Sequence, residues 1–247
     1  MDKWGIALFT LRDELAKDFK GTLAKVKEIG YAGVEFAGFG DHSASEIKAM
    51  LEEVGLEAWS SHVPLAQLRE SLDDVLAYHK EVGVHYIVCP YLTPEERQAK
   101  DDYLELAKDL ETIGRACKEA GIGFCYHNHD FEMQTFDGEY ALDLLLSQTT
   151  KEHVQLECDA YWVEFAGVDA KRYMNQYTGR VPMVHLKDMK ATDKSFAEVG
   201  EGTLDIKGII QAGKEAGARY VFVEQDICER PPLESISISF NNIQRLS

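Results

Sequence analysis

The sequence predicts an α/β chain folded as a single (β/α)8 TIM barrel, and three observations carry that expectation. Eight short, apolar, β-rich runs recur along the chain, stretches with apolar residues at three- and four-residue spacing separate them, and no dinucleotide-binding loop follows the first run. A chain of 247 residues is also the usual size of one such barrel, about 250 residues. The alternation implies a parallel sheet with right-handed crossovers. An open doubly wound sheet shares this local rhythm, so strand count and the first turn decide between them.

Taken in order, residues 5–9 form the first strand, and the turn after it, Thr10-Leu11-Arg12-Asp13, is not a GxGxxG. A helix over 23–29 stops at Gly30, and a strand over 33–37 leads to a helix over 46–54 that stops at Gly55. The third strand, 57–62, precedes a helix over 72–82 and Gly83; the fourth, 86–90, precedes a helix over 103–120 and Gly121. Strands over 123–129 and 154–159 are followed by helices over 141–146 and 171–176. The seventh strand, 182–187, leads to a helix over 206–216 ending at Gly217, and the eighth covers 220–224. In the tail, Ile236, Ile238 and Phe240 alternate as in a strand, while Ile236, Phe240, Ile243 and Leu246 fit a helical stripe. A helix over about 233–246 is the better reading, because helices form the outer ring of this architecture. No linker or composition shift divides the chain, so one domain is expected over 1–247.

Bulk properties remove several function classes. Apolar residues make up 45% and charged residues 28%, and no apolar run approaches the roughly 18 residues of a membrane span. The first ten residues run straight into a strand without a secretory pattern, so a cytoplasmic protein is expected. Five cysteines without a CxxC pair suit reduced thiols. A net charge of −17 repels phosphate backbones, so nucleic acid is not an expected partner, nor is a membrane.

Four good metal ligands stand where predicted strands run out: His127 in Tyr-His-Asn-His-Asp, Asp159 in Leu-Glu-Cys-Asp, His185 in Met-Val-His-Leu-Lys-Asp and Glu224 in Val-Phe-Val-Glu-Gln-Asp. In a barrel those ends share one rim. A lone His or Asp at a strand end is more often a cap, but four at the ends of strands five to eight point to one shared cation. Side chains alternate along a strand, so Glu157 and Phe222 should lie one layer deeper, and His127 and His129 should share a face. Of the two imidazoles, one is a ligand and the other a ligand or proton carrier. Imidazole and carboxylate donors without thiolate suit Mn2+, Zn2+, Fe2+ or Co2+, with Mn2+ the first choice and Mg2+ a further option.

Around this centre, Glu35 and His62 at the ends of strands two and three are expected to complete the polar rim and touch substrate, with loop hydrogen bonding as the plainer alternative. Glu132 is expected to grip a substrate hydroxyl or cap the next segment, and Lys187 to face inward as the pocket's cation. Trp59, Tyr91, Tyr161 and Trp162 offer flat walls for a sugar, although core packing is the commoner fate of aromatic residues. Gly200-Glu201-Gly202 lacks an adjacent cation and reads as a tight turn before a helix starting near Asp205, not as a phosphate loop.

Gly-Ile-Gly-Phe-Cys-Tyr-His-Asn-His-Asp-Phe-Glu, Glu-Cys-Asp-Ala-Tyr-Trp-Val, Val-His-Leu-Lys-Asp, Gly-Glu-Gly-Thr-Leu-Asp and Val-Glu-Gln-Asp together resemble the xylose isomerase-like barrel superfamily, in its sugar phosphate isomerase/epimerase branch. The resemblance spans nearly the whole chain and implies one divalent metal on the rim, often Mn2+, held by His127, Asp159, His185 and Glu224. The ketose 3-epimerases of that family carry a glutamate where His127 stands, paired with the eighth-strand glutamate as two acid/base groups. Branches with HNHD-type strands include inosose dehydratases and enzymes acting on 3-keto sugars.

The expected activity is that of a metal-dependent sugar isomerase or epimerase, which removes a proton beside the carbonyl of a keto- or hydroxy-sugar. Glu224 is the first base, and His129 or Glu132 returns the proton. Return to the other face gives an epimer, transfer to the next carbon an isomer, and loss of a β-hydroxyl a dehydrated product. The competing readings are a metal-dependent dehydratase of the inosose or 3-keto-sugar type and a non-catalytic sugar-binding barrel. Trp162 joins Glu35, His62 and Lys187 as expected substrate contacts. Barrels of this type often form homodimers through rim helices, and the partner expected in the cleft is a small sugar or polyol.

Overall fold

The computed structural model describes residues 3–246. Each of the eight apolar runs pairs in parallel with the next: β1 (Gly5–Ala7), β2 (Gly33–Phe36), β3 (Glu57–His62), β4 (Tyr86–Cys89), β5 (Gly123–His127), β6 (Gln155–Asp159), β7 (Met183–Leu186) and β8 (Tyr220–Val223). Pairing of β8 with β1 closes the ring, so the eight strands form a barrel without a free edge. The outer layer contains α1 (Phe19–Ile29), α2 (Ala44–Val54), α3 (Leu72–Val82), α4 (Lys100–Glu119), α5 (Ala141–Ser147), α6 (Ala170–Gln176), α7 (Ile206–Ala216) and α8 (Pro232–Leu246). Residues 1, 2 and 247, the extremes of the expected 1–247 domain, lie outside the described residues. No helix among the described residues is long and apolar enough to cross a membrane.

Local chemistry sets these boundaries. At the start of α2, the Ser43 hydroxyl accepts from the Glu46 N–H, and the Glu46 carboxylate accepts from the Ser43 N–H, a reciprocal cap that satisfies two otherwise free donors. The ambiguous tail is helical because its apolar stripe covers the barrel: Tyr31 donates to the Ile236 carbonyl at 2.8 Å, and its ring meets Phe240 edge-on at 4.9 Å. Three short helices in the connections after β1, β3 and β6, Arg12–Lys17, Leu65–Glu70 and Ala160–Phe165, were not expected. Each spans fewer than two turns, too short for a 3.6-residue repeat to show.

The main core lies between strands and helices, and a second apolar cluster fills the barrel itself. That inner cluster comprises Ala7, Trp59, Tyr86, Val88, Cys125, Met183 and Phe222. Trp59 therefore belongs to the barrel floor and not to a sugar-binding wall at the rim. It stacks on Tyr220 at 4.7 Å, and its ring occupies the space above Gly33, where an added Cβ would lie 2.2 Å from the indole. Gly33→Ala is expected to cost about 1–3 kcal/mol through overpacking, read as a lower denaturation midpoint with an unchanged m-value. An unchanged midpoint would mean that the floor has room which these contacts deny.

Candidate metal centre

The strand ends bring four side chains to one point. His127 and Asp159 are the last residues of β5 and β6, His185 lies within β7 opposite Asp159, and Glu224 follows β8, tied by its N–H to the Leu186 carbonyl at 3.0 Å. All four are buried, and one ligand atom from each lies within 4.8 Å of every other. His185 Nδ1 stands 2.8 Å from Glu224 Oε2, and His127 Nε2 stands 3.6 Å from Asp159 Oδ2. Donor atoms bonded at about 2.0–2.2 Å to one ion are separated by roughly this much.

Neighbouring groups fix each of the four. Asp159 Oδ1 accepts from the Trp162 N–H at 3.1 Å, capping the helix Ala160–Phe165, which leaves Oδ2 aimed into the centre beside Lys187. Asn128 locks the same residue from the side, accepting from the Asp159 N–H and donating to its carbonyl. His127 Nδ1 donates to Glu157 Oε2 at 3.0 Å, and His185 Nε2 is 2.8 Å from Glu35 Oε1. Glu35 is steadied by the Ser60 hydroxyl at 2.6 Å, and His62 Nε2 sits between Glu35 and Glu157 at 3.0 and 2.9 Å. Tying the far nitrogen of an imidazole to a carboxylate is how metal-ligating histidines are oriented.

Opposite charges in the cluster lie at short range. Lys187 Nζ lies 3.0 Å from Asp159 Oδ2, 2.9 Å from Glu224 Oε2 and 2.8 Å from Asp226 Oδ1. Burial works against the ammonium, yet Asp159, Glu224 and Asp226 outweigh it and hold Lys187 well above its ordinary range. Burial raises the Asp159 carboxyl to about 6 against the pull of Lys187. Glu224 is driven upward by burial but held well below the usual carboxylate range by Lys187 and then His185. Burial, with the positive charge of His185 and His62 beside it, holds His127 well below the usual histidine value, so the ring is neutral with a lone pair to give. Two imidazoles and two carboxylates with converging donor atoms fit a divalent cation, without thiolates to demand a softer one.

The centre opens into a cleft of about 1020 Å3. His62, His127, His129, Trp162, Lys187 and Glu224 line it, as the sequence led us to expect of them. His129 reaches it although β5 has already ended, its ring 5.1 Å from that of His127. Its Nδ1 is buried without a partner, and burial, then Lys187, pushes its pKa down to about 3. Tyr91 lines the cleft and is exposed, whereas Tyr161 is buried, with its hydroxyl given to the Lys194 carbonyl.

Two expected contacts are placed elsewhere. Glu35 lies 2.8 Å from His185 Nε2 and outside the cleft lining, a position from which it would orient that imidazole. Glu132 is also outside the lining: the short turn Phe131–Met133 folds its carboxylate under the loop, where it accepts from the Tyr126 hydroxyl at 2.5 Å and from the His129 N–H at 2.7 Å. There burial raises it to about 7, against the Tyr126 hydrogen bond. This placement suits positioning of His129 better than the catalytic role expected of Glu132. Asp226, Arg12 and Asn128 were not singled out, although Asp226 keeps the two-residue spacing from Glu224 that alternation favours.

The Gly200–Gly202 turn is filled by the protein's own anion. Asp188 accepts from the N–H groups of Met189, Gly200, Gly202 and Leu204 at 2.8–3.1 Å, and a Cβ on Gly202 would fall 2.2 Å from its carboxylate. Asp188→Ala is expected to cost about 2–3 kcal/mol and to speed amide hydrogen exchange over residues 200–204. Unchanged protection there would show that the carboxylate does not hold the turn.

Comparison with known proteins agrees with the fold. Residues 23–240 match the family model described as a xylose isomerase-like TIM barrel. The chain is 22% identical to the rhizopine catabolism protein MocC of Rhizobium meliloti over 91% of its own length and 80% of that protein. It is 25% identical to the inosose dehydratase of Geobacillus kaustophilus over 68% of its own length, spanning 61% of that relative. A sugar phosphate isomerase/epimerase from Parabacteroides distasonis superposes with a TM-score of 0.86 at 25% identity, covering 98% of this chain and 93% of that one. The IOLI protein, whose structure holds a zinc atom, shares the fold with a TM-score of 0.78 at 17% identity, covering 99% and 97%.

Proposed function

This chain belongs to the xylose isomerase-like TIM barrel family, and from that premise we propose that it is a divalent-metal-dependent isomerase or epimerase of a keto- or hydroxy-sugar or cyclitol. One observation carries the reading: the donor atoms of His127, Asp159, His185 and Glu224 converge, with both imidazoles braced from behind by Glu157 and Glu35. A divalent cation held there would draw charge from a carbonyl oxygen and make the adjacent C–H acidic enough to lose its proton. Mn2+ is the first candidate and Zn2+ the second, the latter supported by the zinc of the IOLI protein.

The protein's own groups would move the proton. Lys187 and His185 keep Glu224 ionised, the form a base needs, and its carboxylate lines the cleft. His129, neutral and with Nδ1 unpartnered, faces the same space and would first take up a proton at Nδ1, from a substrate hydroxyl or from solvent, and then donate it to the enediolate as an imidazolium, while Glu132 holds its backbone in place. Trp162 would supply a flat wall over the sugar, with Lys187 5.4 Å from its ring. With His127 in place of a second glutamate, transfer between two paired carboxylates is not available. The inosose dehydratase relatives favour dehydration as the second reading.

The test is wash-in of solvent deuterium at the α-carbon of a panel of ketoses and inososes, with Mn2+ and after chelation. Exchange that needs Mn2+ is expected, and its absence with every substrate would overturn the proposal. Recovery of an epimer or isomer supports the first reading, whereas an unsaturated product supports the second.

A further inference from the structure

The cleft is larger than a simple sugar requires. A hexose or cyclitol has about a dozen heavy atoms and displaces at most roughly 360 Å3, a dozen waters at ~30 Å3 each. The cleft holds about 1020 Å3. The surplus lies to one side, because the converging donors come from β5 to β8 while the opposite wall follows β2, β3 and β4. Apolar side chains make up much of that wall: Phe39, Val63, Pro64, Val75, Tyr78 and Tyr91 face the cleft, with His42, Gln67 and Asp74 among them.

The polar atoms of Tyr78 and His79 are already engaged. The Phe39 ring packs 4.8 Å from Tyr78 and 5.3 Å from His79. The Tyr78 hydroxyl donates to the His42 carbonyl at 2.7 Å, and both His79 nitrogens are taken, by the Val75 carbonyl and the Ser61 hydroxyl. Charge in the cleft also disfavours an anion. Asp74, Glu224 and Asp226 line it against Arg12, His62 and Lys187; Lys187 is held by three carboxylates and His62 by Glu35 and Glu157, so neither is free for an anion.

We infer that the substrate is an uncharged sugar or cyclitol bearing an apolar, ring-containing substituent, which lies against the Phe39–Tyr78 wall while the polyol faces the metal centre. This rests on the proposed function for the position of the polyol. The wall itself needs no metal.

Calorimetry on the full chain loaded with Mn2+, using glucose, phenyl β-D-glucopyranoside and glucose 6-phosphate as probes, tests it. The phenyl glucoside is expected to bind at least tenfold more tightly than either of the others. Phe39→Ala, and independently Gln67→Trp, which fills the lobe from the exposed face of the helix Leu65–Glu70, are expected to bring its affinity down to that of glucose. Mn2+ affinity serves as the control for folding. Equal affinities, a preference for the phosphate, or no effect of either substitution would overturn the inference. Metal-dependent deuterium exchange without a phenyl preference would sink this inference alone. A phenyl preference that survives chelation, with no exchange, would sink the proposed chemistry and leave the lobe standing.

Discussion

Asp159→Asn is expected to lower Mn2+ affinity more than about a hundredfold while leaving the fold intact, because the two oxygens of this carboxylate have separate tasks. Oδ1 caps the helix Ala160–Phe165 through the Trp162 N–H, and Oδ2 points at the other three donors with Lys187 3.0 Å away. Asparagine can keep its oxygen on the cap, so helix stability changes little, whereas alanine would forfeit about 1 kcal/mol. Its amide NH2 must then replace Oδ2, presenting a donor where an anion is needed and facing the Lys187 ammonium. Loss of a group that merely orients a ligand typically costs 10–100-fold in metal affinity, so loss of a ligand should exceed that range. Glu224→Gln removes a second ligand and the proposed base together. It should add a loss of roughly 10²–10⁴ in turnover even at saturating metal, the range of general base catalysis. Calorimetric metal titration of each variant, with circular dichroism as the check on folding, decides the matter. Full metal occupancy in both variants would dismantle the ligand assignment.

What could be read from the sequence follows from which physical signal each residue carried. The barrel was legible because most strands are short apolar runs, and the positive-φ glycines at residues 55, 83 and 121 end their helices where expected. The four converging side chains were legible because they lie at or beside the ends of strands, where alternation fixes direction and the barrel fixes the common rim. Past the strand ends that rule lapses. Glu132 was misplaced because the turn Phe131–Met133 rotates its side chain beneath the loop, and nothing in Asp130-Phe131-Glu132 specifies that rotation. Trp59 was misplaced for a different reason: which end of the barrel a ring fills depends on register with Gly33 and Phe222, set by strands far away in sequence. Glu35 was expected at the end of its strand and lies one residue inside it, and its depth relative to His185 depends on how the strands are staggered around the ring.

Lys187→Met is the substitution expected to damage the metal-free protein most and the metal-loaded protein least. The ammonium is 2% exposed and is the positive charge shared by Asp159, Glu224 and Asp226, so its removal leaves buried carboxylates without their shared partner. Breaking a buried ion cluster by deleting one member costs about 3–5 kcal/mol, because the partners remain desolvated. For a chain of this size that corresponds to a fall in Tm of roughly 6–20 °C, at about 2–4 °C per kcal/mol. A divalent cation would supply positive charge to Asp159 Oδ2 and Glu224 Oε2, two of the three oxygens that lose it. Mn2+ should therefore raise the Tm of the variant by more than it raises that of the parent, the excess growing with metal concentration as linkage requires. Scanning calorimetry of both proteins, chelated and with Mn2+ in steps, makes the comparison without any substrate. A chelated variant within 2 °C of the parent would show that Lys187 does not balance these carboxylates, and equal metal-induced shifts would show that cation and ammonium do not share the same oxygens.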